Sequence, residues 1–200
     1  DIRKEVAKGH QVFVVVPMVY ESRKMDSASV EGAYKDLKKT LKGVRVGFTH
    51  GSLKKADQHE AMEKFRNREL DVLIASTVIE VGVDVPNATR IVVLSADRLG
   101  ASSLHQIRGR VGRSNLPSTC YLVSEGKTAA SKARLQALVD SNDGFEIAQV
   151  DLKTRGEGDL FGLRQAGESS LRFASLVDHS KFVTQAQTLA KEIYSSRYRD

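Results

Sequence analysis

The sequence is short of several features that would each narrow its chemistry. Cys120 is the single cysteine among 200 residues. Neither an internal disulfide nor a cysteine-based zinc cluster can therefore form, and a reducing compartment fits. No apolar run approaches the roughly 18 residues of a membrane span, and the first residues do not read as a secretory signal. GxxxxGK[ST] does not occur, so no loop of backbone amides is present to cradle a triphosphate. Clustered metal ligands and a nucleophile elbow are missing, as are internal repeats and low-complexity tracts.

What remains is an ordinary soluble composition with a basic bias. Hydrophobic residues make up 40% and charged residues 28%, enough for a sizeable core under a polar surface. The length suits one domain with appendages. A net charge of +6 is compatible with a polyanionic partner and equally with a plain solvated surface. The chain opens at Asp1, without methionine, in a basic helix-like segment, as a piece of a longer protein would.

Apolar runs and helical periodicity alternate along the first two thirds. Gln11–Pro17, a continuous apolar run, predicts a strand covered on both faces. Tyr20–Ala28 reads as a connecting loop. From Ser29, Val30, Tyr34, Leu37 and Leu41 recur at helical spacing, and Gly43 supplies the stop. Further strands are expected at Val44–Phe48, Asp71–Ala75, Arg90–Leu94 and Thr119–Val123, with a helix at Ala56–Arg66. This alternation predicts βαβ units and a mostly parallel α/β sheet. Its ligands would lie at the carboxyl ends of the strands, at Thr49-His50-Gly51, Ser76-Thr77 and Ser95-Ala96-Asp97. Beyond Gly126 the character changes. Helices are expected over Lys127–Val139 and Phe145–Leu152, separated by the turn cluster Asp140–Gly144. Thr154–Gly167 carries glycines at 156, 158, 162 and 167 and reads as a hairpin or compact loop. Val177–Tyr194 predicts one more helix.

The richest stretch is Ser76–Arg113. It turns through Gly82, Asp84 and Pro86 and ends on a helix-like segment with Gln106, Arg108, Arg110 and Arg113. Arg110 and Arg113 are spaced to share a helix face. Guanidinium forks meet the equatorial oxygens of a transferring phosphoryl group with paired donors. The same pattern also suits a basic helix end complementing its own dipole, or a plain phosphate patch. Asp84 reads equally as a turn former before Pro86, Thr77 as a β-branched core residue, and His50 as a cap for the next helix.

Taken together, TVIEVGVDVP (Thr77–Pro86) and QIRGRVGR (Gln106–Arg113) resemble motifs V and VI of superfamily 2 helicases. Thr49-His50-Gly51 fits the preceding motif. The segment from Asp140 to Gly167, DSNDGFEIAQVDLKTRGEGDLFGLRQAG, resembles the translocation motif shared by the RecG helicases and the transcription-repair coupling factors. Ser141–Phe145 and Leu163–Gly167 resemble the RecG family more closely. One departure is Glu157 with Asp159-Leu160-Phe161, where the commoner family pattern has Pro and Glu-Leu-Leu; it bears on the local turn shape.

The resemblance implies a RecA-like three-layer parallel sheet over residues 1–126, a helicase C-terminal domain with the P-loop NTPase fold but no P-loop. A helical hairpin, translocation motif and C-terminal helix would follow over 127–200. It implies ATP as cofactor, with its Mg held by a preceding motor domain. Gly82 and Asp84 would meet the nucleotide, Asp84 at the ribose. Arg113 would be the arginine finger, Arg110 would also reach the γ-phosphate, and Gln106 would couple the nucleotide to the domain interface. His50, Gly51 and Thr77 would lie near the nucleic-acid backbone. Arg155, Arg164 and Gln165 would work on duplex DNA, although Arg155 could equally hold the hairpin by pairing with Glu157 or Asp159. The implied partners are branched DNA (forks and Holliday junctions) and the motor and wedge domains of the same protein. A monomer in the bacterial cytoplasm is implied, with no membrane partner. The 200 residues alone are expected to be inactive. A motor that displaces stalled polymerase, or a basic module that binds nucleic acid without ATP, are the alternatives.

Overall fold

β1 (Gln11–Val15) and β3 (Val72–Ala75) are buried at every position, as continuous Val/Ile/Leu runs should be when both faces of a sheet are covered. The computed structural model describes residues 1–17, 23–76, 85–126 and 128–155, together with Gln185, Leu189 and Ile193, which are helical and exposed. The strands form a five-stranded sheet in the order β2-β3-β1-β4-β5, with β2 at Val46–Thr49, β4 at Ala88–Val93 and β5 at Thr119–Leu122. All pairings are parallel; Val12 stands opposite Val72 and Phe13 opposite both Leu73 and Ile91. The two edge strands are less buried than the central ones. This is the parallel α/β sheet that the alternating sequence pattern predicts.

Because side chains alternate across a strand, each face builds its own core. On one side Phe13, Val15, Leu73, Ala75, Ile91 and Val93 meet Met62 and Phe65 of α3 (Lys55–Arg66) and Ala101, Leu104 and Ile107 of α4 (Ala101–Arg108). The Phe13 and Phe65 rings lie 4.6 Å apart between centroids. On the other side Val12, Val14, Val72 and Ile74 pack under Val30 of α2 (Arg23–Thr40), under Leu41 just after it, and under Ile2 and Val6 of α1 (Ile2–Ala7). α5 (Ala129–Asp140) and α6 (Gly144–Arg155) place Leu138 and Ile147 in the same core as Phe13, so both helices rest against the sheet domain through α4.

Two expectations need correction. Arg23–Ala28, expected in a loop, already belongs to α2. The helix that was to carry Arg110 and Arg113 ends at Arg108. Two glycines account for the early stop. Gly109 is the C-cap, and Gly112 adopts φ +80, a left-handed conformation that breaks any helical continuation. Arg110 and Arg113 therefore share a loop, not a helix face.

One buried charge fastens α1 to the sheet. The Glu5 carboxylate, on a side chain only 5% exposed, accepts from His10 Nδ1 at 2.7 Å, Thr89 Oγ1 at 2.8 Å and Lys8 Nζ at 3.2 Å, and lies 3.0 Å from Arg90 Nη2. Chiefly the His10 hydrogen bond, helped by Thr89, Lys8 and Arg90 and opposed by burial, holds its pKa down from 4.5 to about 2. A carboxylate whose folded pKa is depressed stabilises fully above its unfolded value and loses that contribution as pH falls through the folded one. Chemical denaturation should therefore show a stability loss on going from pH 4.5 towards 2 that Glu5→Gln largely lacks. At neutral pH, Glu5→Ala should cost about 2–4 kcal/mol, because Arg90 and Thr89 lose a buried partner.

Candidate nucleotide and nucleic-acid site

Those residues singled out from the sequence whose positions are described fall into two separate regions. At the carboxyl end of β2, Thr49 and His50 are both only 4% exposed while Gly51 is exposed. The His50 ring stacks near Phe48, with centroids 5.8 Å apart, and its Nε2 is 3.8 Å from Glu31 Oε1. Neither ring nitrogen makes a hydrogen bond among the described residues. The imidazole is thus turned inward, and the surface this turn offers is the backbone of Gly51. Nor does His50 cap α3 with its side chain: Gln58, inside the helix, donates from Nε2 to the carbonyls of His50 (3.3 Å) and Leu53 (2.8 Å).

Ser76, buried at the end of β3, donates its N–H to Thr49 O at 3.4 Å. Ser76 therefore lies beside the His50 turn. Thr77, Gly82 and Asp84 lie outside the described residues, as do Arg164 and Gln165. Arg155 is the last residue of α6, and its side chain also lies outside the description. Ser95 follows β4 in a left-handed conformation (φ 45) and leads into a 3-10 turn, Ala96–Arg98, in which Ala96 is fully buried.

The arginine loop lies at the opposite edge of the sheet. α4 buries Ala101, Leu104 and Ile107, which leaves Gln106 exposed on its outer side. Arg113 is exposed and donates from Nε to Gly109 O at 3.0 Å, which closes the loop on itself. Arg110 is half-buried and makes no side-chain hydrogen bond or ion pair among the described residues. Gly112 abuts Ser118, the residue just before β5: a Cβ on Gly112 would stand 2.6 Å from Ser118 Oγ. β2 and β5 are four strand spacings apart, roughly 19 Å. The two regions do not form one pocket among the described residues.

A cleft of about 830 Å³ runs beside β5 and is walled by the Gly109–Gly112 loop, Leu104, Cys120 and Leu138. Burial, partly countered by Arg108, pushes the Cys120 thiol up to about 11. It stays protonated at neutral pH and is not a nucleophile. Among the described residues no group of His, Cys, Asp or Glu could hold a metal. Arg113, exposed beyond its one bond to Gly109 O, and Arg110, without a side-chain partner among the described residues, leave guanidinium donors that suit an anion of the size of a phosphate.

Arg108, to which the sequence assigned no role of its own, makes the most side-chain bonds of the three arginines here. Its Nη1 donates to Leu138 O at 2.6 Å and Ser141 O at 2.7 Å, and its Nη2 to His105 Nδ1 at 3.0 Å. The signal was available. Arg108 follows Leu104 by one helical turn, so it lies on the buried stripe of α4, where a cation needs built-in partners.

Comparison with known proteins places these features in a family. Residues 1–115 match the helicase conserved C-terminal domain, and residues 141–198 match domain 3, C-terminal, of the ATP-dependent DNA helicase RecG. The chain is 41% identical over 193 residues to RecG of Staphylococcus aureus (strain Mu50), covering 96% of this chain and 28% of that protein. For RecG of Escherichia coli (strain K12) the identity is 42% over 192 residues, 94% of this chain and 27% of that protein. The chain thus spans about a quarter of the length of these relatives. A structure of RecG bound to a three-way DNA junction matches with a TM-score of 0.67 at 34% identity, covering 92% of this chain and 23% of that one. The yeast DEAD-box splicing factor Prp28 matches in fold, with a TM-score of 0.54 at 16% identity over 84% of this chain and 35% of that one. The sheet is therefore the RecA-like fold of a helicase C-terminal domain.

The loop geometry makes a testable demand on Gly112. Gly112→Ala should lose about 1–3 kcal/mol of stability, from a left-handed Ala and the Ser118 contact together. Adding Ser118→Ala should recover only the part due to that contact, as read from paired denaturation curves.

Proposed function

Because the chain belongs to the helicase C-terminal domain family, we propose that it is the second motor domain, with its translocation segment, of a RecG-like ATP-dependent helicase acting on branched DNA. The observation that carries this reading is identity of 41% sustained over 96% of the chain. Two independent family matches flank the join between the sheet domain and the helices that follow it. In the intact protein the activity would regress stalled forks and migrate Holliday junctions, as a monomer in the bacterial cytoplasm.

ATP, when bound, supplies phosphoryl transfer to water. This chain contributes cations to that step. The loop closed by Gly109 and Gly112 holds Arg113 exposed and Arg110 half-buried, and on domain closure both would meet the phosphates of a nucleotide held by a preceding motor domain. That domain would also hold Mg. Gln106, exposed on α4 next to the loop, bears on the domain interface. Gly82 and Asp84 would approach the ribose, while Gly51, His50 and Thr77 would border the nucleic-acid backbone. Arg155, Arg164 and Gln165 would engage duplex DNA. A guanidinium supplied across such an interface stabilises the charge of the transition state and makes hydrolysis depend on closure.

Arg113→Ala in the intact protein tests this reading. DNA-stimulated ATP hydrolysis should fall by about 10³-fold or more, with junction binding in a gel-shift assay retained. Equal loss of both would reduce the loop to a phosphate-binding patch.

A further inference from the structure

Arg90 lies outside the motifs read from the sequence, and its contacts go beyond what fastening α1 requires. It stands on β4 opposite Thr119, the first residue of β5. Its guanidinium, on a side chain 15% exposed, points two ways. Nη2 lies 3.0 Å from Glu5 Oε2, while Nη1 donates at 2.9 Å to Thr89 O and at 2.9 Å to Pro117 O. Pro117 belongs to the short segment that carries the chain from the arginine loop into β5. One side chain thus ties α1, β4 and the entry to β5 together at the amino end of the parallel sheet.

Stability alone is a weak reason for such an arrangement. A buried ion pair returns much of its attraction as desolvation, and apolar residues of similar volume often serve as well. What the pair supplies is a guanidinium of fixed direction. Glu5 is itself held by Thr89 Oγ1 at 2.8 Å and His10 Nδ1 at 2.7 Å. One branch of the Arg90 fork is therefore anchored, and the planar geometry of the group directs the other at Pro117 O. The hold then passes into the arginine loop. Ser118, the next residue, packs so closely on Gly112 that a Cβ there would stand 2.6 Å from its hydroxyl oxygen. Gly112 adopts φ +80 between Arg110 and Arg113. The loop is thus held at its start by the buried stripe of α4 and at its end by Arg90.

We propose that Arg90 is a positioning residue: anchored by Glu5, it sets through Pro117 and Ser118 where Arg110 and Arg113 stand. This rests on the motor reading above. Arg90 does not reach the nucleotide itself and acts only through the loop. Cations that meet charge developing in a transition state are sensitive to small displacements, and an error of that kind lowers kcat while leaving KM in place.

The test is steady-state, DNA-stimulated ATP hydrolysis by the intact protein. Arg90→Lys keeps a positive charge beside Glu5 but cannot fork to Pro117 O. Its kcat should fall about ten-fold or more, with KM for ATP within about two-fold of the parent. Thr89→Val is the control, because it removes a partner of Glu5 and leaves Arg90 with Pro117 O; its kcat and KM should both stay within about two-fold. A parental kcat in folded Arg90→Lys, or an equal fall of kcat in both variants, would reduce Arg90 to a fastener of α1 and overturn the proposal. If Arg90→Lys does not fold, the double variant Glu5→Gln/Arg90→Met decides the matter. It replaces the ion pair by neutral residues of similar size and still deprives Pro117 O of its donor, so the same fall in kcat is expected and a parental kcat would overturn the proposal. A parent protein without DNA-stimulated hydrolysis would instead refute the motor reading, and the role of Arg90 with it.

Discussion

Burial of β1 on both faces and along both edges is the constraint on which the other features depend. A strand of Val and Phe with neighbours on every side can be satisfied only by parallel partners and two helical layers. Once β3 and β4 flank it, the connections must cross over the sheet, and α2, α3 and α4 are the segments that do so. The buried Gln11 shows how tightly the entry to this strand is held: its Nε2 donates to Phe65 O at 2.5 Å and Leu70 O at 2.7 Å, bridging the end of α3 and the turn before β3. The apolar stripe of α4 then has one place to go, and its last turn delivers the arginine loop to the edge of the sheet.

The loop itself follows from where α4 can no longer be a helix. Gly109 and Gly112 end it within one turn of Ile107, so the next arginines leave the buried stripe. Three arginines in six residues thereby acquire different tasks. Arg108, still on the stripe, is consumed by carbonyls of α5; Arg110 is half-buried without a described partner; Arg113 is exposed. Proximity in sequence did not decide their roles. The end of the helix did.

Much of the architecture was legible beforehand because strand periodicity and helix periodicity are local signals. The strands at Gln11, Asp71 and Thr119 and the helix at Ala56–Arg66 stand within a residue or two of their expected bounds. What escaped was non-local or hidden in glycine conformation. The N-terminal part of α2 is polar and carries no apolar stripe to announce it. Treating Arg110 and Arg113 as helical neighbours ignored that two glycines three residues apart stop a helix more readily than they decorate one. The inward turn of His50 goes with Phe48 and with Glu31 of α2, which no spacing along the chain displays. Motif order pointed to a helicase half; only the packing separated Arg108, bonded to carbonyls of α5, from Arg110 and Arg113 in the loop that follows.

The central claim is that this chain is half of a motor whose nucleotide is held elsewhere. The most direct measurement is DNA-stimulated ATP hydrolysis by the 200 residues alone, set beside the same residues joined to the preceding motor domain. The account predicts no hydrolysis above background from the first and DNA-dependent turnover from the second. Robust DNA-stimulated turnover by the 200 residues on their own would contradict it.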